Sequence, residues 1–285
     1  MMEEKLAIVT GADGGMGQII TKALASAGYS VIMACQNMTK ALSVCEVVRQ
    51  ECANEQIEVR NINMASFASV NAFADHLLIE KRHISFLINN AGILSTPVRR
   101  TVDGVETLVS VNYLSPYLLT RRLLPLMSAG SRIVNTVSCT YTIGKIDEAF
   151  IEKGKEGRFL RIPVYGNTKL ALLLFTRELS DRLKNTGITV NAADPGIVST
   201  NMIRMNKWFD WLTDIFYRPF IKTPEEGAST AIYLALSKEV EGKSGCCFAD
   251  GKEKKIAARI CLPVLQTKLW NETELWFAKK NIRLD

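Results

Sequence analysis

Along the chain, short apolar runs alternate with longer stretches of helical spacing. Seven runs carry the strand signature: LAIVT (6–10), SVIMAC (30–35), IEVRNI (57–62), ISFLIN (84–89), RIVNTV (132–137), ITVNAA (188–193) and CCFAD (246–250). Most are apolar without in–out alternation, which predicts strands covered on both faces. Between them, about 16–27, 39–53, 66–80, 104–127, 165–185 and 224–237 read as helices. This rhythm predicts an α/β, doubly wound fold: a mostly parallel sheet of about seven strands, right-handed crossovers, and flanking helices. No Pro/Gly/Ser linker divides residues 1–285, so one domain is expected. A last helix over about 263–279 is expected to bury Leu265, Leu269 and Trp276, with a subunit contact as one use of that face.

Composition narrows the function. Hydrophobic residues make up 47% and charged residues 22%, as in ordinary globular proteins. The net charge of +6 arises from 35 basic and 29 acidic residues scattered along the chain. Without a dense basic run it argues against nucleic acid as a partner, while suiting a site for a phosphorylated cofactor. The opening MMEEKLAIVTG shows neither a basic leader nor a cleavage site, so no signal peptide is expected. No apolar run approaches the length of a membrane span. Seven cysteines, without a Cys-x-x-Cys, look like reduced thiols, and cytoplasmic localisation is the expectation. With His76 and His83 the only histidines, no metal site is expected.

The first strand runs into TGADGGMG (10–17) and then a helix. Gly11, Gly15 and Gly17 allow a tight turn, close approach of backbone to a pyrophosphate, and close helix-on-strand packing; the helix start supplies free N–H groups and a positive dipole end. Further markers follow in order: NNAG (89–92), VNYLSPYLLT (111–120), NTVSC (135–139), YGNTK (165–169) and DPGIVST (194–200). Together they resemble the compact branch of the short-chain dehydrogenase/reductase family, across nearly the whole chain. The words VIMACQN, GVETLVSVNYL, YLALSKEVEGKSG and DGKEKK resemble its retinol-dehydrogenase-like subgroup, without that subgroup's hydrophobic N-terminal anchor. The resemblance implies a single Rossmann domain and cofactor contacts from Thr10, Gly11, Asp13, Gly15, Met16, Gly17, Gln36, Asn63, Met64, Asn89, Ala91, Gly92, Tyr165, Lys169, Pro195, Gly196, Val198 and Thr200. It also implies a homodimer or homotetramer.

Tyr165 and Lys169 stand four apart before a strongly helical run, so they share one helix face. Tyr141 and Lys145 have the same spacing but no helical continuation. Ser138, at the carboxyl end of the fifth strand, is expected to face Tyr165 across the crevice. Hydride transfer to a carbonyl leaves an alkoxide that needs a proton. Tyr165 is therefore the candidate acid/base and Ser138 the hydrogen-bond donor to the substrate oxygen. Lys169 is expected to lower the Tyr165 pKa, by about 2–3 units or about 3–4 kcal/mol. The resemblance adds that Lys169 holds the nicotinamide ribose and that Asn112 supports the proton relay.

The second strand ends at Gln36, neither the acid that grips a ribose 2′-OH nor the base that accepts a 2′-phosphate. The resembled subgroup has Arg there and prefers NADP, and Lys40 lies close enough to compensate. NADP(H) is thus expected over NAD(H). Asn63 replaces the family's usual adenine-contacting Asp. The insert at about 140–163 is expected to line the substrate entrance. The stretch 204–221, with Trp208, Trp211, Leu212 and Ile215 on one stripe, is expected to be a lid. The expected partner is a bulky, apolar alcohol or carbonyl substrate such as a steroid, bile-acid-like molecule or lipid aldehyde. The alternative class is a non-catalytic dinucleotide-binding regulator or scaffold. An enoyl-type reductase is disfavoured because its Tyr and Lys usually stand further apart.

Overall fold

A computed structural model describes residues 5–94, 99–147, 150–151, 161–198 and 221–284. Its strands are β1 (Leu6–Thr10), β2 (Ser30–Cys35), β3 (Ile57–Asn61), β4 (Ile84–Asn89), β5 (Arg132–Thr136), β6 (Thr189–Asp194), β7 (Ile197–Val198), β8 (Ile221–Lys222), β9 (Cys247–Ala249) and β10 (Lys252–Glu253). Eight of them form one sheet in the order β10-β9-β6-β5-β4-β1-β2-β3, and β7 pairs with β8 separately. The expected seven strands are all present, but the main sheet has eight. The addition, β10, turns back antiparallel on β9. It has two exposed charged residues, so no hydrophobic pattern announces it.

The helices are α1 (Gly15–Ser26), α2 (Met38–Cys52), α3 (Phe67–Glu80), α4 (Thr107–Val109), α5 (Ser115–Leu123), α6 (Arg161–Arg182), α7 (Pro224–Leu236) and α8 (Pro263–Lys279). Every position of β1 and β2 is buried. Successive side chains point to opposite faces, so Leu6 and Ile8 join the core beneath α3, α5, α6 and α8, whereas Ala7 and Val9 join the core beneath α1, α2 and α7. Two cores on one sheet are why its strands read as continuous apolar runs. The strand order reverses between β1 and β4, which opens a crevice at the carboxyl ends of the strands.

Two helices differ from expectation in ways that matter to the crevice. The single helix expected over 104–127 is instead α4, a π-helical turn at Ser110–Leu114, and α5. The widened turn carries Asn112 at its centre, and such π-bulges are frequent at functional sites. The long helix α6 begins at Arg161, so Tyr165 lies one turn inside it rather than at its mouth.

Helix α8 lies on the chain's own body. Trp270 sits 5.1 Å from Tyr117 and Trp276 5.7 Å from Phe67, between ring centroids. The Tyr113 hydroxyl and Thr273 Oγ1 are 2.7 Å apart, and Arg121 pairs with Glu274. Leu269 and Trp276 are buried as expected, while Leu265 is only partly so. The apolar stripe considered for a subunit contact therefore packs within one chain.

Candidate active site

The glycine turn is built by close contact. A Cβ on Gly17 would lie 2.2 Å from the Gly11 carbonyl oxygen, so only glycine lets α1 approach β1 this closely. Gly11 itself turns with φ +63°. Gly15 is different: a Cβ there would meet only Pro224, at an ordinary 3.5 Å. The protein itself does not demand glycine at this exposed position, but a ligand resting on the backbone would. Helices α2, α3 and α7 begin with side-chain caps from Asn37, Ser66 and Thr223. Helix α1 follows Gly14, which offers no side-chain cap, and has no acid in its first turn. Uncapped N–H groups, an uncompensated positive dipole end and a bare Gly15 fit a pyrophosphate.

The surrounding residues divide by task. The Thr10 hydroxyl accepts from the backbone N–H of Asn90 (3.0 Å) and Ala91 (2.9 Å), tying β1 to the end of β4. The Asn90 side chain, which no sequence argument singled out, donates to the Thr10 carbonyl at 3.0 Å and so braces the glycine turn. The Asn89 side-chain amide donates to Thr120 and Asn135 inside the sheet, which leaves its backbone at the end of β4 to face the crevice. Met16 packs its sulfur toward Gly227 of α7. Asn63 Oδ1 accepts from the Ala65 N–H (2.9 Å), and the Met64 carbonyl accepts from Ser110 and Ser115. Gln36 is exposed at the end of β2. Lys40, expected to compensate there, has its ammonium 3.2 Å from the Asp13 carboxylate. Pro195 and Gly196 (φ +75°) turn the chain after β6, and Val198 lies buried in β7. Thr200, Trp208, Trp211, Leu212, Ile215 and residues 148–149 and 152–160 of the 140–163 insert lie outside the described residues.

At the reactive end, β5 leads to Ser138 and then a tight 3-10 turn, Cys139–Ile143. That turn presses on α6: a Cβ on Gly166 would stand 2.7 Å from the Thr140 carbonyl oxygen. The close approach brings Ser138 into hydrogen-bonding contact with Tyr165. One turn along α6, Lys169 is 2% exposed; its Nζ donates to the Thr136 carbonyl at 2.8 Å and lies 5.6 Å from the Tyr165 ring centroid. Lys169 Nζ and Asn112 Oδ1 converge on Gly92, 3.3 and 3.4 Å from where its Cβ would be. Asn112 exchanges hydrogen bonds with the Ile93 backbone (2.8 and 3.0 Å) and donates to Thr168 Oγ1 (3.2 Å), so it ties the β4 loop to α6.

Burial dominates the electrostatics of the site. Burial pushes the Tyr165 phenol up to about 12; the Ser138 hydrogen bond pulls it down, and Cys139 and Asp194 add to the rise. Burial also pushes Lys169 down to about 8, opposed by Asp194. Burial of the phenol outweighs the nearby Lys169 ammonium, whose Nζ lies 5.6 Å from the ring centroid and bonds the Thr136 carbonyl, so the net shift of Tyr165 is upward rather than downward. Tyr165 is thus held as a neutral phenol, a proton donor.

Comparison with known proteins agrees with this architecture. The short chain dehydrogenase family matches over residues 5–209. The chain belongs to the short-chain dehydrogenase/reductase family. Among curated relatives, human retinol dehydrogenase 12 is 38% identical over 269 residues, covering 94% of this chain and 84% of the relative. Mouse retinol dehydrogenase 14 is 38% identical over 290 residues, covering 96% and 86%. A crystal structure of a Mycobacterium paratuberculosis protein superposes with a TM-score of 0.77 at 26% identity, covering 99% of this chain and 96% of that one. This short-chain dehydrogenase/reductase is therefore an enzyme resembling the retinol dehydrogenase-like subgroup, and its family supports nicotinamide-dependent alcohol/carbonyl chemistry. Among its described residues, no helix is long and apolar enough to cross a membrane.

Proposed function

We propose that this enzyme interconverts a bulky, apolar alcohol and its aldehyde or ketone, with Tyr165 as acid/base and NADP(H) as the preferred cofactor. The observation that carries the reading is the convergence of Ser138, Tyr165 and Lys169, from β5 and α6, at the carboxyl ends of the strands. The dinucleotide would lie along the turn of Gly11, Gly15 and Gly17 and the start of α1, and it supplies or accepts the hydride. In reduction, the Ser138 hydroxyl donates a hydrogen bond to the substrate oxygen, and the Tyr165 phenol delivers the proton that balances the added hydride. Lys169 presents a positive charge beside that phenol, and Asn112 holds the β4 loop against α6. In oxidation the same proton returns to Tyr165.

The substrate class rests on relatives whose names specify retinol, an apolar alcohol. The cofactor preference rests on the absence of an acid at the end of β2 and on Lys40 at the start of α2, a cation already 3.2 Å from the Asp13 carboxylate. Seven free cysteines support a reducing compartment such as the cytoplasm. The deciding experiment follows oxidation of NADPH and of NADH over a panel of long-chain aldehydes, retinoid aldehydes and ketosteroids, for wild type and Tyr165→Phe. Turnover with a preference for NADPH, falling by about 10²–10⁴-fold in the variant, is expected. Unchanged turnover in Tyr165→Phe would overturn the assignment. A Gln36→Arg variant should strengthen NADPH binding relative to NADH, by fluorescence titration, if the end of β2 meets the 2′-phosphate.

A further inference from the structure

Behind the proposed site lies an ion pair that this mechanism does not use. Asp194, the last residue of β6, is 1% exposed, and its Oδ2 accepts from Lys254 Nζ at 2.9 Å. Its other oxygen accepts from the Gly196 N–H at 3.0 Å. Lys254 comes from the sheet edge just past β10, where its backbone N–H bonds the Cys247 carbonyl and its ammonium lies 5.2 Å from the Tyr141 ring centroid. A buried carboxylate needs such a partner, but its position matters more.

Thr136, whose carbonyl anchors Lys169, pairs in register with Ala193, and Val137 N–H bonds the Ala193 carbonyl. Asp194 is the next residue. Side chains alternate along a strand, so Asp194 points to the same face as Val190 and Ala192, both in the core beneath α6. The carboxylate is therefore aimed at the side of the sheet that carries Lys169. Around the pair, among the described residues, the titratable and charged groups are Tyr141 and Cys139 from the 3-10 turn, Cys247 from β9, Tyr165 and Lys169 from α6, and the Lys222–Asp250 pair by Gly196. Asp194 is the charge that acts on Lys169 against the effect of burial.

We propose that Asp194 and Lys254 are a positioning pair for the reaction: the buried carboxylate keeps the Lys169 ammonium charged in its dry site, and Lys254 sets how strongly it does so. The proposal deepens the functional reading given above and rests on Lys169 taking part in it. The signs follow from charge. Removing the carboxylate lets Lys169 lose its proton at lower pH; removing Lys254 leaves the carboxylate uncompensated and moves the loss to higher pH.

The test measures the pH midpoint of Lys169 in two ways, in wild type, Asp194→Asn and Lys254→Met. One is nitrogen NMR of the lysine side chains, with Lys169 assigned by its absence in Lys169→Met; it needs neither cofactor nor substrate. The other is the pH dependence of carbonyl reduction. Asp194→Asn, which keeps an acceptor for Gly196, should lower the midpoint from about 8 by about one pH unit, and Lys254→Met should raise it by a similar amount. Lys254→Gln serves as a second variant and should shift it the same way as Lys254→Met. Midpoints that stay put, or that move in the same direction in the Asp194 and Lys254 variants, would overturn the proposal. NMR midpoints that move oppositely while no carbonyl compound turns over would uphold the pair and sink the functional reading instead.

Discussion

The chain contains the same four-residue spacing twice, and the two copies differ in everything except that spacing. Tyr165 and Lys169 ride on one face of α6, with the lysine buried and its ammonium near the tyrosine ring. Tyr141 lies in a 3-10 turn, 1% exposed, while Lys145 is exposed and, among the described residues, offers its backbone N–H to Asn167 at 2.7 Å. The cation that reaches the Tyr141 ring is Lys254, more than a hundred residues away in sequence. A spacing of four makes a pair only where the backbone is helical, because only then do i and i+4 share a face. The sequence itself rejects the decoy, since no helical pattern follows it.

The comparison breaks most sharply at the tyrosines. Tyr165→Phe should lose about 10²–10⁴-fold in turnover, whereas Tyr141→Phe should keep turnover within a few-fold and cost about 1 kcal/mol of stability, read by chemical denaturation. If Tyr141→Phe proved as damaging to turnover as Tyr165→Phe, the assignment of roles would fail.

The lysines sharpen it through stability. Lys169 titrates near 8 when folded, against an ordinary 10.5, so the unfolded chain holds that proton more tightly. The cost of burying the ammonium is fully present below about 8 and fades as pH rises toward 10.5. Lys169→Met should therefore lose activity yet gain about 1–3 kcal/mol at neutral pH, a gain that shrinks above pH 8. Denaturation curves at pH 7 and pH 10 decide this; a destabilised variant at both values would contradict it. Smallest of all, Lys145→Ala should change neither turnover nor stability by more than about 0.5 kcal/mol.

Local chemistry explains how much could be read beforehand. A helix start after an apolar strand, with glycines at 11, 15 and 17, carries its own signal, as do the buried strands and the helical run after Tyr165. Asn90 could have been found: it stands within NNAG, one residue past the Asn89 that was singled out, and the alternation of a strand end decides which of the two faces in. Lys254 had no comparable sign. Neither did the π-helical turn at Ser110–Leu114, where the pattern reads simply as helix.

Sequence alone determined the parallel sheet, the glycine turn and the face shared by Tyr165 and Lys169, because each depends on neighbours within a few residues. Tertiary structure decided the charge states, the partner of Lys40, the eighth strand and the meeting of Asp194 with Lys254. Those depend on which distant groups exclude water from one another, and desolvation is a property of the packed whole rather than of any stretch of chain.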